Sequence, residues 1–201
     1  MSKTKKNLLL TKVEKIHQSK PKKIIIYYNS SKKIYIFAKE KKMTKATIQS
    51  VKQTESAGLF TICFEGESYT EFQKFITKGH ENATLQPDLQ KILNAIQHMM
   101  NAMGFLDRYF RPEGKIRDRV AALPIQTSKL RLYCLRLSDS VLIVGNGGPK
   151  TTKTYDEDTK LNGYVIQLQK LDDLLRLAEA KGEIFIEEAT LTGVDDKQFD
   201  I

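Results

Sequence analysis

Apolar residues recur along this chain with two different periods, and each switch of period marks an element. Between Lys23 and Tyr28, and again between Lys33 and Ala38, β-branched and aromatic residues dominate. The polar segment Asn29-Ser30-Ser31-Lys32 separates them, which predicts a β-hairpin. Leu59–Phe64, after Gly58, predicts another strand, while Thr44–Lys52 alternates too loosely to separate strand from helix. The spacing then becomes three and four. Tyr69, Phe72, Phe75 and Ile76 fall on one helical face, with Ser68-Tyr69-Thr70-Glu71 as a capping box led by Ser68 and Gly79 as the stop. A second helix carries Leu89, Ile92, Leu93, Ile96, Met99, Met100 and Met103, with Pro87 in its first turn and Gly104 beyond its end. Period two returns over Ile116–Leu123, Lys129–Leu137 and Ser140–Val144, the last two joined tightly enough at Ser138-Asp139-Ser140 to be antiparallel. An amphipathic helix follows over Tyr164–Lys181, ended by Gly182, and then a short strand over Glu183–Glu188 before an acidic tail. The first twenty residues, with Leu8, Leu9, Leu10, Val13 and Ile16, read equally as a short helix or as partly disordered.

These elements predict an α+β fold in three parts: a basic, β-rich extension over 1–58, a main domain over 59–182, and an acidic strand or tail over 183–201. With 201 residues and 40% hydrophobic content, one large packed domain is affordable. The longest apolar run, Ile24-Ile25-Ile26-Tyr27-Tyr28, is far short of the roughly 20 residues of a membrane span. Lys12 and Lys15 interrupt the N-terminal apolar segment too early for a secretion signal, so the expected compartment is the cytoplasm. Cys63 and Cys134 sit in separate strand-like contexts, and His17, His80 and His98 are scattered. Neither set has metal-ligand spacing, so the expected cofactor and metal content is none.

Charge adds a second layer. The net charge is +9, and residues 1–50 alone carry fourteen lysines against Glu14 and Glu40, whereas 183–201 hold six acids and one lysine. Such asymmetry suggests an anionic partner. Arginine patterning in the central strands is more specific. Side chains alternate across a strand, so Arg117 and Arg119 share one face of the first strand and Arg131 and Tyr133 share one face of the second, with Arg136 opposite. If those faces coincide, they form one basic surface, within reach of Lys150 and Lys153 from the segment Gly145-Asn146-Gly147-Gly148-Pro149-Lys150. Guanidinium forks hold phosphate oxygens and aromatic rings stack on bases, which points to RNA. The alternative is a solvated face of ion pairs using Glu113 and Asp118. The glycines lack the spacing of a P-loop or a dinucleotide fingerprint, and read as a sharp exit from the strand.

The strand–helix–helix–three-strand order of residues 59–155, Lys129-Leu130-Arg131-Leu132-Tyr133 in a central strand, and Lys150-Thr151-Thr152-Lys153-Thr154 after the last one resemble the RelE/ParE superfamily of toxin–antitoxin toxins, particularly HigB-like and phage-derived members. The resemblance covers about half the chain. It implies a RelE-like antiparallel sheet packed against two N-terminal-side helices, with the β-rich extension and the C-terminal helix as additions. It also implies a metal-independent endoribonuclease that cleaves mRNA on the ribosome by attack of a ribose 2′-hydroxyl on the adjacent phosphate. Arg131 and Lys153 would stabilise the phosphate and Tyr155 would stack on a base or transfer a proton. Arg117, Arg119, Tyr133 and Lys150 would position the RNA. The implied partners are a cognate antitoxin, such as a helix-turn-helix protein, and the ribosome with its mRNA. Some relatives carry lysines on the first strand where this chain has arginines, which are poor general bases, and the histidines that other relatives use are missing from the end of the sheet. A catalytically silent RNA-, DNA- or protein-binding module and a ParE-like topoisomerase inhibitor are the alternatives.

Overall fold

The computed structural model describes residues 24–29, 32–37, 44–114, 118–123, 129–150 and 154–201. The chain divides into two compact units, Met1–Met43 and Thr44–Ile201. In the first unit, β1 (Ile24–Asn29) pairs antiparallel with β2 (Lys32–Phe37) from Ile24 opposite Phe37 to Asn29 opposite Lys32. This is the hairpin the alternation predicts. The helix considered for the first twenty residues lies outside the described residues.

The second unit is α+β, with a mostly antiparallel sheet of seven strands. Its strands are β3 (Lys45–Gln53), β4 (Gly58–Phe64), β5 (Arg111–Pro112), β6 (Val120–Leu123), β7 (Leu130–Arg136), β8 (Val141–Pro149) and β11 (Phe199–Asp200), in the order β11-β3-β4-β8-β7-β6-β5. The pair β4/β8 is parallel, from Gly58 opposite Val141 to Thr61 opposite Val144, and the other pairs are antiparallel. Residues 44–58, expected in the N-terminal extension, therefore belong to the main unit, because β3 completes its hydrogen bonding on β4. The expected acidic tail is ordered as well. It forms the hairpin β9 (Phe185–Glu187) and β10 (Thr190–Thr192), then returns as β11 beside β3.

Among the described residues three α-helices cover the sheet on both faces. α1 (Glu71–Glu81) and α2 (Gln86–His98) bury Phe72, Phe75, Leu89 and Ile92 against Leu132, Cys134, Leu142 and Val144. α3 (Thr159–Ala180) buries Val165, Leu168, Leu171 and Leu175 against Tyr133, Leu135, Val141 and Ile143 on the opposite face. Strands buried on both faces need an almost continuous apolar run, which is what Val141–Val144 supplies. Alternation in β7 sends odd positions to α3 and even positions to α1 and α2.

Several local signals resolve differently from their sequence reading. The capping box begins at Thr70, whose Oγ1 accepts from Gln73 N while Thr70 N donates to Gln73 Oε1, because Gln73 reaches back where Glu71 cannot. Gly79 does not stop α1. It lies inside the helix, where a Cβ would stand 2.9 Å from Leu89 Cδ2, so it is the point of close approach to α2. α2 runs on through a π-helical turn, Met99–Met103, and ends at Gly104 with φ of 70°, a backbone state that favours glycine.

Thr61 fastens three elements: its Oγ1 donates to Val144 O at 2.9 Å and accepts from Phe72 N at 3.3 Å. Thr61→Val would leave a buried carbonyl and amide without those bonds. It is expected to cost about 1–3 kcal/mol, measured by urea unfolding.

Candidate functional site

The second central strand presents its charged and aromatic residues on the face that α3 covers. Arg131 is 9% exposed and Tyr133 is 0% exposed, and the Tyr133 ring meets Tyr155 edge-on with centroids 6.4 Å apart and planes at 70°. Arg119, just ahead of β6, reaches that face although β6 sends its odd positions Ala121 and Leu123 to the other, and Arg136 turns away from it, donating from Nε to Phe105 O at 2.7 Å. Arg119, Arg131 and Tyr133 do not form an open basic surface. Helix α3 lies across them.

Arg119 accordingly binds the helix. Its Nε is 2.5 Å from Asp172 Oδ1, its backbone N donates to Asp172 Oδ2 at 3.1 Å, and its Nη2 is 2.8 Å from Glu179 Oε1. Asp172 also takes Arg176 Nε at 3.0 Å. The role that suits this geometry is anchorage of the segment before β6, and the sequence expectation that Arg119 positions RNA finds no free guanidinium face here. Tyr133 likewise has no exposed ring on which a base can stack. Arg117 and Lys153 lie outside the described residues. Lys150 is exposed immediately after β8, its amide bonded to Lys129 O at 2.5 Å, so that the Lys129 and Lys150 side chains start from neighbouring points on one rim of the sheet.

At the other end of β7 the fold adds a residue that pattern alone offered only as an ion-pair partner. Glu113 follows β5, where its N donates to Val120 O at 3.0 Å, and is 7% exposed. Its Oε1 stands 3.7 Å from Arg111 Nε and accepts no hydrogen bond. Burial pushes the Glu113 carboxyl above the ordinary glutamate range, against the pull of Arg111 and Arg131. The Tyr133 hydroxyl is the other buried side-chain polar atom without a hydrogen bond among the described residues. Burial raises that phenol too; the Arg131 guanidinium, first by its polar contact and then by its charge, opposes the rise, and Glu113 adds to it. Tyr155 is raised by burial, opposed by a hydrogen bond from the Gly114 backbone and reinforced by Glu113. Glu113, Arg131, Tyr133 and Tyr155 thus form one electrostatically coupled group. It contains a buried carboxyl of elevated pKa, a guanidinium and two phenols, which together can accept a proton, stabilise an oxyanion and donate a proton.

α3 fixes the turn that carries Glu113. Gln169 Nε2 donates to Asp118 Oδ2 at 2.6 Å, and a Cβ on Gly114, whose φ is 80°, would lie 2.7 Å from Gln169 Nε2. The only sequence signal for Glu113 is an acid between Pro112 and Gly114, just ahead of the arginine strands.

The glycines after Val144 extend β8 instead of ending it. Opposite Tyr133, β8 carries the two residues Gly145 and Asn146, so the pairing shifts between Leu132/Gly147 and Cys134/Val144. This is a β-bulge, a device that re-aims a side chain. Gly147 is required there by close approach, since a Cβ would lie 1.8 Å from Arg131 O. Gly147→Ala is expected to break the β7/β8 pairing beside Arg131 and to lower the melting temperature, measured calorimetrically.

Among the described residues no three His, Cys, Asp or Glu side chains are grouped to hold a metal ion, and no helix is long and apolar enough to cross a membrane. Comparison with protein-family models, with curated proteins and with solved structures finds no match to this chain.

Proposed function

We propose that this protein is a RelE-like toxin, a metal-independent endoribonuclease that cleaves mRNA, with Glu113 as the proton acceptor that the arginine-rich strands lack. The observation that carries the reading is the buried Glu113 carboxyl, whose Oε1 accepts no hydrogen bond and which feels the Arg131 guanidinium, with the buried Tyr133 hydroxyl on the same strand as Arg131. The order strand, two helices, a two-residue strand, three longer strands and helix over 58–180 supports it.

In this mechanism the Glu113 carboxylate takes the proton of a ribose 2′-hydroxyl. The 2′-oxygen bonds to the adjacent phosphorus, and the bond from phosphorus to the 5′-oxygen breaks. Arg131 meets the charge that grows on the phosphate oxygens. The Tyr155 phenol is protonated at neutral pH, as any tyrosine of ordinary pKa about 10 is, so it can donate to the departing 5′-oxygen and recover a proton from Glu113 through water. The products are a 2′,3′-cyclic phosphate and a 5′-hydroxyl. Lys129 and Lys150 on the rim, together with Lys153, supply cations for the neighbouring phosphates.

The enclosure of Arg131 and Tyr133 favours a second reading, a silent module that binds nucleic acid or protein at the rim without cleavage. One experiment separates them. Purified protein with ribosomes and message, in the presence of a chelator, should yield cyclic-phosphate ends, and induced expression should arrest growth. Arg131→Ala combined with Lys153→Ala should abolish both. Intact message bound with a steep salt dependence would favour the silent module, and growth unaffected by abundant soluble wild-type protein would overturn the toxin reading.

A further inference from the structure

A second polar group closes the sheet at the place where the parallel strands part. Pairing between β4 and β8 ends at Thr61 opposite Val144, so the following stretch of β8 has β7 on one side only. There Asn146, 3% exposed, turns toward α1, and its Nδ2 donates to Glu71 Oε2 at 2.7 Å. Lys78 Nζ donates to Asn146 Oδ1 at 2.8 Å and to Tyr164 Oη at 2.9 Å, and lies 5.0 Å from the centre of the Tyr164 ring. Glu71 is held in turn by Lys74 Nζ at 2.7 Å. Asn146 Oδ1 also accepts from Gly147 N at 2.8 Å. Lys78 therefore joins α1 on one face of the sheet to α3 on the other, through the bulged residue between them.

We infer that the Glu71–Asn146–Lys78–Tyr164 chain is a positioning device for the cluster around Glu113, because it holds the β8 bulge whose partner residue is Tyr133. The physical argument is one of register. An extra residue in a strand is satisfied by no ladder bond, so its conformation is set by what its side chain binds. Asn146 makes three such bonds, to α1 twice and to the next amide once, and these select the conformer that lets Gly147 press on Arg131 O. Arg131 stands opposite Gly148, Leu132 opposite Gly147, and Tyr133 faces the bulge itself. Any relaxation of the bulge is thereby transmitted to Arg131, which the proposed reaction uses, to Tyr133 beside it in β7, and to Lys150, one residue beyond the end of β8. Lys78 and Asn146 touch no reacting atom. They are positioning residues, and their importance for turnover rests on the ribonuclease reading above.

The test uses Lys78→Met, which keeps the length of the side chain and removes its donors, Asn146→Leu, and the conservative Lys78→Arg. Tyr133 is followed through the ζ-carbon resonance of labelled tyrosine, assigned with Tyr133→Phe, in the full-length protein without RNA. Lys78→Met should displace that resonance and lower kcat for RNA cleavage by about tenfold or more, as small misplacements of a reacting group do, while KM stays within about twofold. Lys78→Arg should restore both. Lys78→Met leaves Asn146 its bonds to Glu71 and Gly147, so it should remain folded even where Asn146→Leu does not. A Tyr133 resonance unmoved in folded Lys78→Met overturns the positioning role, whether or not the wild type cleaves RNA. A lowered melting temperature with kcat and the resonance unchanged also overturns it, leaving only a structural clamp. Displacement of the resonance in a wild type that has no ribonuclease activity would uphold the coupling and refute the ribonuclease reading alone.

Discussion

Glu113→Gln is expected to reduce single-turnover RNA cleavage by about a hundredfold to ten-thousandfold, the range a positioned general base supplies, without weakening the fold at neutral pH. The side chains are nearly the same size, so the buried site is kept, while the group able to accept the 2′-hydroxyl proton is gone. The pH dependence has a definite sign. Because burial raises the carboxyl pKa in the folded chain, the folded state binds more protons than the unfolded state between the ordinary glutamate value and the raised one. This contribution to stability is fully present below the ordinary value and is lost as pH rises through the folded value. Glutamine removes that loss, so denaturant unfolding should show the variant at least as stable as the wild type above this window. Cleavage runs the other way. The base must be deprotonated, so wild-type activity should fall on the acid side with a midpoint above the ordinary glutamate range, a limb that Glu113→Gln abolishes. Cleavage by Glu113→Gln at the wild-type rate would sink the assignment of the base.

Asp172→Ala is expected to be the most damaging single change to stability. It would leave Arg119, whose side chain is 15% exposed, with Glu179 as its remaining carboxylate in the described contacts, and would remove the Asp172 partner of Arg176 as well. Breaking one side of a buried pair costs about 3–5 kcal/mol. For a chain of this size each kcal/mol corresponds to roughly 2–4 °C in melting temperature, which differential scanning calorimetry would resolve easily. Removing both partners, as Arg119→Leu with Asp172→Leu, should recover much of the loss, because no buried charge is then left alone. The double variant also tests what Arg119 does. A phosphate-contacting cation lowers the salt slope of RNA binding by about one when removed. An arginine committed to α3 should leave the slope unchanged. A reduced slope in the folded double variant would return Arg119 to the RNA-binding set.

The residues that sequence reading handled well are those whose information is local. The alternation over Lys23–Ala38 gave the β1/β2 hairpin, the 3/4 spacing before Gly104 gave α2, and Ser138-Asp139-Ser140 gave the antiparallel turn between β7 and β8. Where a residue answered to a distant partner, the local reading failed. Gly79 resembles a helix stop because glycine usually is one, yet Leu89 of the next helix requires it inside α1. Gly145 to Gly148 resemble an exit loop, but the carbonyl of Arg131 and the side chain of Leu168 need the space, and the segment stays a strand. β3 was ambiguous because its outer half is solvated and its alternation is interrupted by the bulge near Val51.

By itself the sequence determined the α+β composition, the β1/β2 hairpin, the two helices between β4 and the central strands, and the shared face of Arg131 and Tyr133 within one strand. All of these follow from side-chain period along one stretch of chain. Only the tertiary structure decided that α3 covers that face, that Asp172 and Glu179 bind Arg119, and that Glu113 is buried beside Arg131 with Tyr133 and Tyr155. Charge and alternation say which way a residue points within its own strand. What meets it there depends on a helix more than twenty residues away in sequence, and so does whether an arginine serves a ligand or the fold.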